Sequence, residues 1–181
     1  MATEVYEQLI AATFEARSFW VRSNTILKLP ANDGQRASQV ELDVIALSLS
    51  SPPELFVIEC KSTFGSDGLD WNTYAGTNQT RQHRYRVFFD PVLRARIEST
   101  LRLTYQLPVN IQVKFCLASA ATQRRDYRKI KRHLAQHGLQ LLGQSWLRNE
   151  LRLLANSTGY QNNIAVLAAA MLFHPKRNRY A

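Results

Sequence analysis

Leu55, Phe56, Val57 and Ile58 form an unbroken apolar run, and Glu59, Cys60 and Lys61 follow it directly. An apolar run of this length, bounded by the turn-forming SSPPE on one side and a polar segment on the other, reads as a buried strand. Side chains alternate across a strand, so Glu59 and Lys61 share one face while Ile58 and Cys60 share the other. Opposite charges at the end of a core strand are costly to bury unless partnered. The preceding segment SQVELDVIALSLS is a second strand, with Glu41 and Asp43 on one face and Val40, Leu42 and Val44 on the other. Joined by SSPPE as a hairpin, the two strands put Asp43 directly or diagonally opposite the Glu59/Lys61 pair. A slip of one residue in register would undo this.

The rest of the chain arranges itself around that hairpin. From Glu4 to about Arg17 the pattern is helical: at ~100° per residue, Val5, Tyr6, Leu9, Ile10, Ala12, Thr13 and Ala16 fall on one broad face. Glu4, Gln8 and Glu15 fall opposite, and Glu7 lies at the border beside Ile10 and Phe14. SFWVRSNTILKLP is a strand ending at Pro30, and ANDGQ a turn centred on Asp33-Gly34. Residues 63–78 read as a loop, with a helical stretch opening near Asn78 and a stronger helix from Pro91 to Leu103. VNIQVKFCLAS is a fourth strand and TQRRDYRKIKRHLAQHG a helix stopped by Gly138. LQLLG is a short strand, and SWLRNELRLLANS a helix with Ser145 as its cap. GYQNNIAVLAAAMLF is a last apolar helix, followed by a mobile tail, HPKRNRYA. The order αβββαβαβα predicts one mixed α/β domain over residues 1–181, with a central sheet flanked by helices.

No apolar run is long enough to span a bilayer, and MATEVYEQLI has early carboxylates and no basic region, so no signal peptide is expected and the cytoplasm is the expected compartment. Cys60 and Cys116 each sit inside an apolar run and read as small core residues. The formal charge is +9, unevenly spread: residues 1–70 hold 10 acidic and 5 basic side chains, and residues 71–181 hold 4 acidic and 18 basic. A basic second part points to a polyanionic partner, with nucleic acid as the expectation.

Two close carboxylates repel unless a cation lies between them, and magnesium takes one or two carboxylates, with waters and phosphate oxygens completing its shell. Such an ion polarises a scissile phosphate and acidifies a bound water. A lysine beside it can orient or deprotonate that water or offset developing charge.

Asp43 followed after a hairpin by Glu59-Cys60-Lys61 resembles the PD-(D/E)xK superfamily of restriction-endonuclease-like nucleases. VELDVIALS and ELFVIECKS are similar in particular to the Mrr-type and Holliday-junction-resolvase-like branches and to the nuclease domains of CRISPR ancillary effectors. Leu42 stands where many members have proline. The resemblance implies a restriction-endonuclease-like αβββαβ core over about residues 4–120, with a basic helical extension over about 121–181. It implies a metal-dependent endonuclease acting on DNA, with Mg²⁺ or Mn²⁺ held by Asp43 and Glu59 and by the Cys60 backbone carbonyl. Lys61 would serve the water or the transition state. Glu7 matches the first-helix glutamate that reaches the metal site in members of the family, and Gln79 and Gln82 match an assisting residue after the motif.

Nucleic-acid contacts are expected from Arg81, Arg84 and Arg86 near that site, and from Arg124, Arg125, Arg128, Lys129, Lys131 and Arg132 on the basic helix. Trp71, Tyr74 and Tyr85 read as packing residues rather than base-stacking platforms, and His133 and His137 as a solvated helix end rather than half a zinc site. Cutting both strands of a duplex is simplest with two active sites, hence a homodimer. Three alternatives stand beside this reading. One is an RNA or single-strand-specific nuclease of the same fold. The second is a nucleic-acid-binding module that does not cut. The third is a subunit contacting partner proteins in a defence or mobile-element assembly.

Overall fold

The computed structural model describes residues 2–31, 36–48, 50–62, 68–75, 85–155, 165 and 169. The Asp33-Gly34 turn, the proposed helix start near Asn78, the tail and most of the last apolar helix lie outside the described residues. The elements are α1 (Ala2–Glu15), β1 (Trp20–Leu29), β2 (Ser38–Ser48), β3 (Glu54–Lys61), α2 (Trp71–Ala75), α3 (Arg86–Phe89), α4 (Pro91–Thr104), β4 (Gln112–Ser119), α5 (Arg124–Gln136), β5 (Gln140–Leu142) and α6 (Gln144–Ala155). One mixed sheet runs β1-β2-β3-β4-β5. The first three strands pair antiparallel, and β3–β4 and β4–β5 pair parallel. The chain is thus α/β, a five-stranded mixed sheet flanked by helices. No helix among the described residues is long and apolar enough to cross a membrane.

Each face of the sheet has its own core. On one face, Val44, Ala46, Ile58, Cys60, Cys116 and Ala118 pack against Tyr6, Ile10 and Phe14 of α1, with Trp146 and Leu147 of α6 at the margin. On the other, Ile45, Val57 and Leu117 meet Leu93, Ile97 and Leu101 of α4 and Ile130 and Leu134 of α5. Both cysteines are free and buried, as a core-spacer role requires. Ala165 and Ala169 pack with Ala12, Ala16, Leu151 and Leu154.

Local chemistry explains the element ends. Asp90 caps α4 by accepting the Leu93 N–H at 2.9 Å, with Pro91 in the first turn where its missing N–H costs nothing. Gly138, at φ 68°, ends α5 as expected; the Leu139 N–H closes the helix on the Leu134 carbonyl at 2.9 Å.

Several expectations need correction. Val5 is exposed, whereas Ala11 and Phe14 are buried, so the inward face of α1 is rotated toward Glu7, itself only 9% exposed. Part of the expected loop forms α2, because the Asp70 carboxylate accepts the Thr73 N–H at 2.9 Å and organises a first turn. The fourth strand begins at Gln112 rather than Val109, which is 97% exposed in a turn. α6 begins at Gln144, so Ser145 lies inside it, and the Gly143 carbonyl accepts from the Leu147 N–H.

Candidate functional site

The β2–β3 ladder runs from Ser48↔Glu54 to Val44↔Ile58 and stops there. Beyond that point β2 continues with β1 alone, down to Leu29↔Ser38, while β3 continues with β4 to Lys61↔Ser119. The sheet therefore forks at Asp43 and Glu59, the next pair in the register. The β1–β2 ladder also lacks a pair at Asn24, which is in the left-handed region at φ 50° and faces Asp43. Past the fork the hairpin is a two-stranded ribbon, a form that twists strongly. Consistent with that twist, Leu42 joins Leu27 and Leu29 in the α4-side core while Val44 joins the α1-side core. The expectation that Val40, Leu42 and Val44 line one common face is corrected accordingly.

The fork leaves the Cys60 N–H without a ladder partner on β2, and Asp43 supplies one: its Oδ2 accepts that N–H at 2.6 Å. The Lys61 Nζ lies 3.9 Å from the same oxygen and pairs directly with Glu59 Oε1. All three side chains are partly buried, with 15%, 21% and 22% exposure for Asp43, Glu59 and Lys61. The sequence-predicted trio is therefore brought together, and its register is the one the hairpin required.

Burial and the neighbouring carboxylates of Asp43 and Glu7 push Glu59 up to about 7, although Lys61 works against the rise. Burial likewise raises Asp43, helped by Glu41 and opposed by Lys61 and the Cys60 N–H. For Lys61 burial alone would favour the neutral amine, but the Glu59 and Asp43 carboxylates outweigh it and hold the ammonium. The Cys60 thiol is pushed well up by burial and by the surrounding carboxylates, which suits a core spacer rather than a nucleophile.

These groups border an open cleft of about 460 Å³, lined among others by Glu41, Asp43, Glu59, Lys61 and Arg86. Glu41 was not singled out by the sequence as a site residue, yet its shared face with Asp43 was a legible signal. Arg86 is exposed at the rim and ion-paired with Asp90 at 3.1 Å. Gln79, Arg81, Gln82 and Arg84 lie outside the described residues. Tyr85, 4% exposed, is close enough to act electrostatically on Lys61.

Two carboxylates with a bound positive charge between them fit the way magnesium is held, since one or two carboxylates suffice and waters complete the shell. The chemistry of the donors fits such an ion: burial raises both carboxylates, Glu41 adds to the rise at Asp43, and Asp43 and Glu7 add to it at Glu59, a build-up of negative charge that a second cation relieves. Here Lys61 supplies the bridging charge. Among the described residues no three His, Cys, Asp or Glu side chains gather into a metal-holding group. Glu7 acts as a charge felt at Glu59 and Cys60 from α1.

Away from the cleft, Arg124, Arg125, Arg128, Lys129, Lys131 and Arg132 are all exposed on α5. His133 departs from expectation. It is half-buried, its Nδ1 lies 3.0 Å from the Tyr74 hydroxyl, and its ring packs on Trp71 and Phe89. Tyr74 and Tyr85 are buried packing residues, as read.

No family model matches the sequence, and no curated protein matches it. Among solved structures, the crystal structure of a protein of unknown function, AF1548, is similar at a TM-score of 0.48 and 15% sequence identity, with 80% of this chain and 59% of that chain covered.

Proposed function

We propose that the chain is a metal-dependent phosphodiester hydrolase of the PD-(D/E)xK type, acting on DNA as an endonuclease. One observation carries the reading: the sheet forks where Asp43 and Glu59 stand, with Lys61 bridging them at the wall of an open cleft. A purely structural ion pair has no need of a second buried carboxylate, because each added acid raises the cost of the first.

In this reading Asp43 and Glu59 hold Mg²⁺ or Mn²⁺, with the Cys60 carbonyl at hand on the same strand end. A bound divalent ion supplies Lewis-acid polarisation of the phosphate and a more acidic water. Asp43 is oriented by the Cys60 N–H, so its second oxygen is left for the ion. With a divalent ion held by those carboxylates, the Lys61 ammonium would be available at the cleft to orient the water or offset charge on the phosphate. Glu7 adds negative charge from α1, favouring a cation. Arg86 at the rim offers a phosphate contact.

The test is incubation with supercoiled plasmid, linear duplex, single-stranded DNA and RNA, in Mg²⁺, Mn²⁺ or EDTA. The reading expects divalent-dependent nicking or cutting of DNA, including circular DNA with no free end. RNA-only cutting would move the substrate, and salt-sensitive binding with no cutting of any substrate would remove the catalytic claim.

A further inference from the structure

The first nine residues of α5 carry six cations, and at ~100° per residue all six fall within an arc of roughly 160°. The other three, Asp126, Tyr127 and Ile130, turn away. Asp126 accepts the Trp71 N–H at 3.1 Å, and Ile130 is fully buried. Among the six, Arg125 pairs with Asp126 at 3.7 Å, and Lys129 lies 4.2 Å from the centre of the Trp71 ring.

The placement of this face matters more than its charge. Ile130 and Leu134 pack in the core that also contains Val57 and Leu93. Glu59 shares the Val57 face by strand alternation, and Leu93 lines the cleft. So α5 and the cleft lie on the same side of the sheet. β4 carries the chain to that same end: Ser119 pairs with Lys61, and α5 opens at Arg124. Rings join the two regions, Tyr85 beside Lys61, Tyr74 at 5.5 Å from Tyr85, and His133 at 5.5 Å from Tyr74.

We infer that the exposed face of α5 is a track for the phosphodiester backbone of nucleic acid, holding the strand whose phosphate enters the cleft. This rests on the hydrolase reading for what happens at the cleft, but the binding claim stands by itself. Arg124, Arg128 and Arg132 follow one another at four-residue steps, about 6 Å apart and about 12 Å in all. That length spans roughly three to four base-pair steps of 3.4 Å. Arginine and lysine on such a stripe suit phosphate oxygens, which fix position without reading sequence. An interfacial membrane helix needs an apolar face free to insert, whereas the apolar face of α5 is fixed in the core.

The test is fluorescence anisotropy of a labelled 20-bp duplex in EDTA, between 50 and 200 mM KCl. Arg124→Gln/Arg128→Gln is compared with Arg148→Gln/Arg152→Gln, an equal charge change at equal spacing on α6, which packs at the other face. With a slope of about −0.9 per neutralised phosphate, the α5 variant should flatten the log–log salt slope by about 1.8. Its affinity deficit at 50 mM should then shrink roughly 12-fold by 200 mM, while the α6 variant follows the wild type. Equal slopes for all three proteins would overturn the inference. So would loss of duplex binding to an equal charge concentration of polyglutamate or anionic phospholipid vesicles, since either would make the stripe a protein or membrane contact. Cutting is read separately in Mg²⁺. Binding through α5 without cutting ends the hydrolase reading and keeps this one, and cutting with unchanged slopes does the reverse.

Discussion

The Asp43 carboxylate accepts the backbone N–H of Cys60 at 2.6 Å, across the point where β2 and β3 part. One side chain therefore does two things: it satisfies a backbone donor that the fork has left without a ladder partner, and it fixes a carboxylate beside Glu59. Loss of that bond exposes a buried donor, which costs about 1–3 kcal/mol.

Asp43→Asn keeps an oxygen for the Cys60 N–H but removes the charge that a divalent ion needs. Wild-type protein should gain thermal stability on adding millimolar Mg²⁺ or Mn²⁺, because a ligand bound only to the folded state stabilises it by mass action. Asp43→Asn should lose most of that gain while retaining a cooperative transition in EDTA. Differential scanning fluorimetry with and without metal measures both. An undiminished metal response in the variant would place the ion elsewhere.

Without metal, the contribution of Glu59 to stability should be lost as pH rises from 5 to 8. Glu59 is raised from 4.5 to about 7, so the fold favours its protonated form. That contribution is present below the unfolded value of 4.5 and is lost as pH climbs through about 7. The shift corresponds to at most about 3 kcal/mol. Glu59→Gln cannot titrate and should show a flatter profile in EDTA over this window; matched profiles for the two proteins would contradict the assigned environment. Urea denaturation at several pH values gives the comparison.

How much of this was legible in the chain depends on the range of the forces involved. The hairpin register could be read, because period-two alternation on both strands and the SSPPE turn are local. The fork could not: Leu42 and Val44 are both apolar, and only the divergence of β2 from β3 sends them to different cores. On α1 the broad mixture of Ala, Thr and apolar residues left the inward face uncertain by about one position, and Glu7, read at the border of that face, is in fact buried. His133 was misread for a plainer reason, as Trp71, Tyr74 and Phe89 are far from it in sequence. Glu41 was visible beside Asp43, but its place in the cleft follows from the ribbon beyond the fork.

Cys60→Ala should preserve activity within a few-fold. The residue is fully buried and packs beside Ile58, and its backbone N–H and carbonyl survive the change. The substitution should cost stability by about 1 kcal/mol, the typical scale for a point change. Activity assays before and after treatment with a thiol-alkylating reagent check this, and abolition of cutting in the folded variant would assign the thiol a chemical role.

Arg96 ties α4 to the backbone next to the β1–β2 ribbon. It is 7% exposed, and its Nη2 donates to the Pro30 carbonyl at 2.8 Å and to the Arg36 carbonyl at 3.2 Å. Arg96→Met keeps much of the side chain's bulk but removes these charged donors, with an expected loss of about 2–3 kcal/mol in urea unfolding. Because the tethered ribbon carries Glu41 and Asp43, metal affinity should fall as well. A variant as stable as wild type would show that the tether contributes nothing.

The central claim is that Asp43, Glu59 and Lys61 form one hydrolytic site, and the direct measurement is cutting of supercoiled plasmid by four proteins. Wild type is compared with Asp43→Asn, Glu59→Gln and Lys61→Met, each checked for an unchanged circular dichroism spectrum. The expected result is cutting that requires Mg²⁺ or Mn²⁺, stops in EDTA, and falls at least about 100-fold in each variant, the scale of removing one acid–base or charge-stabilising group. Cutting that persists in EDTA, or survives all three substitutions, would contradict it.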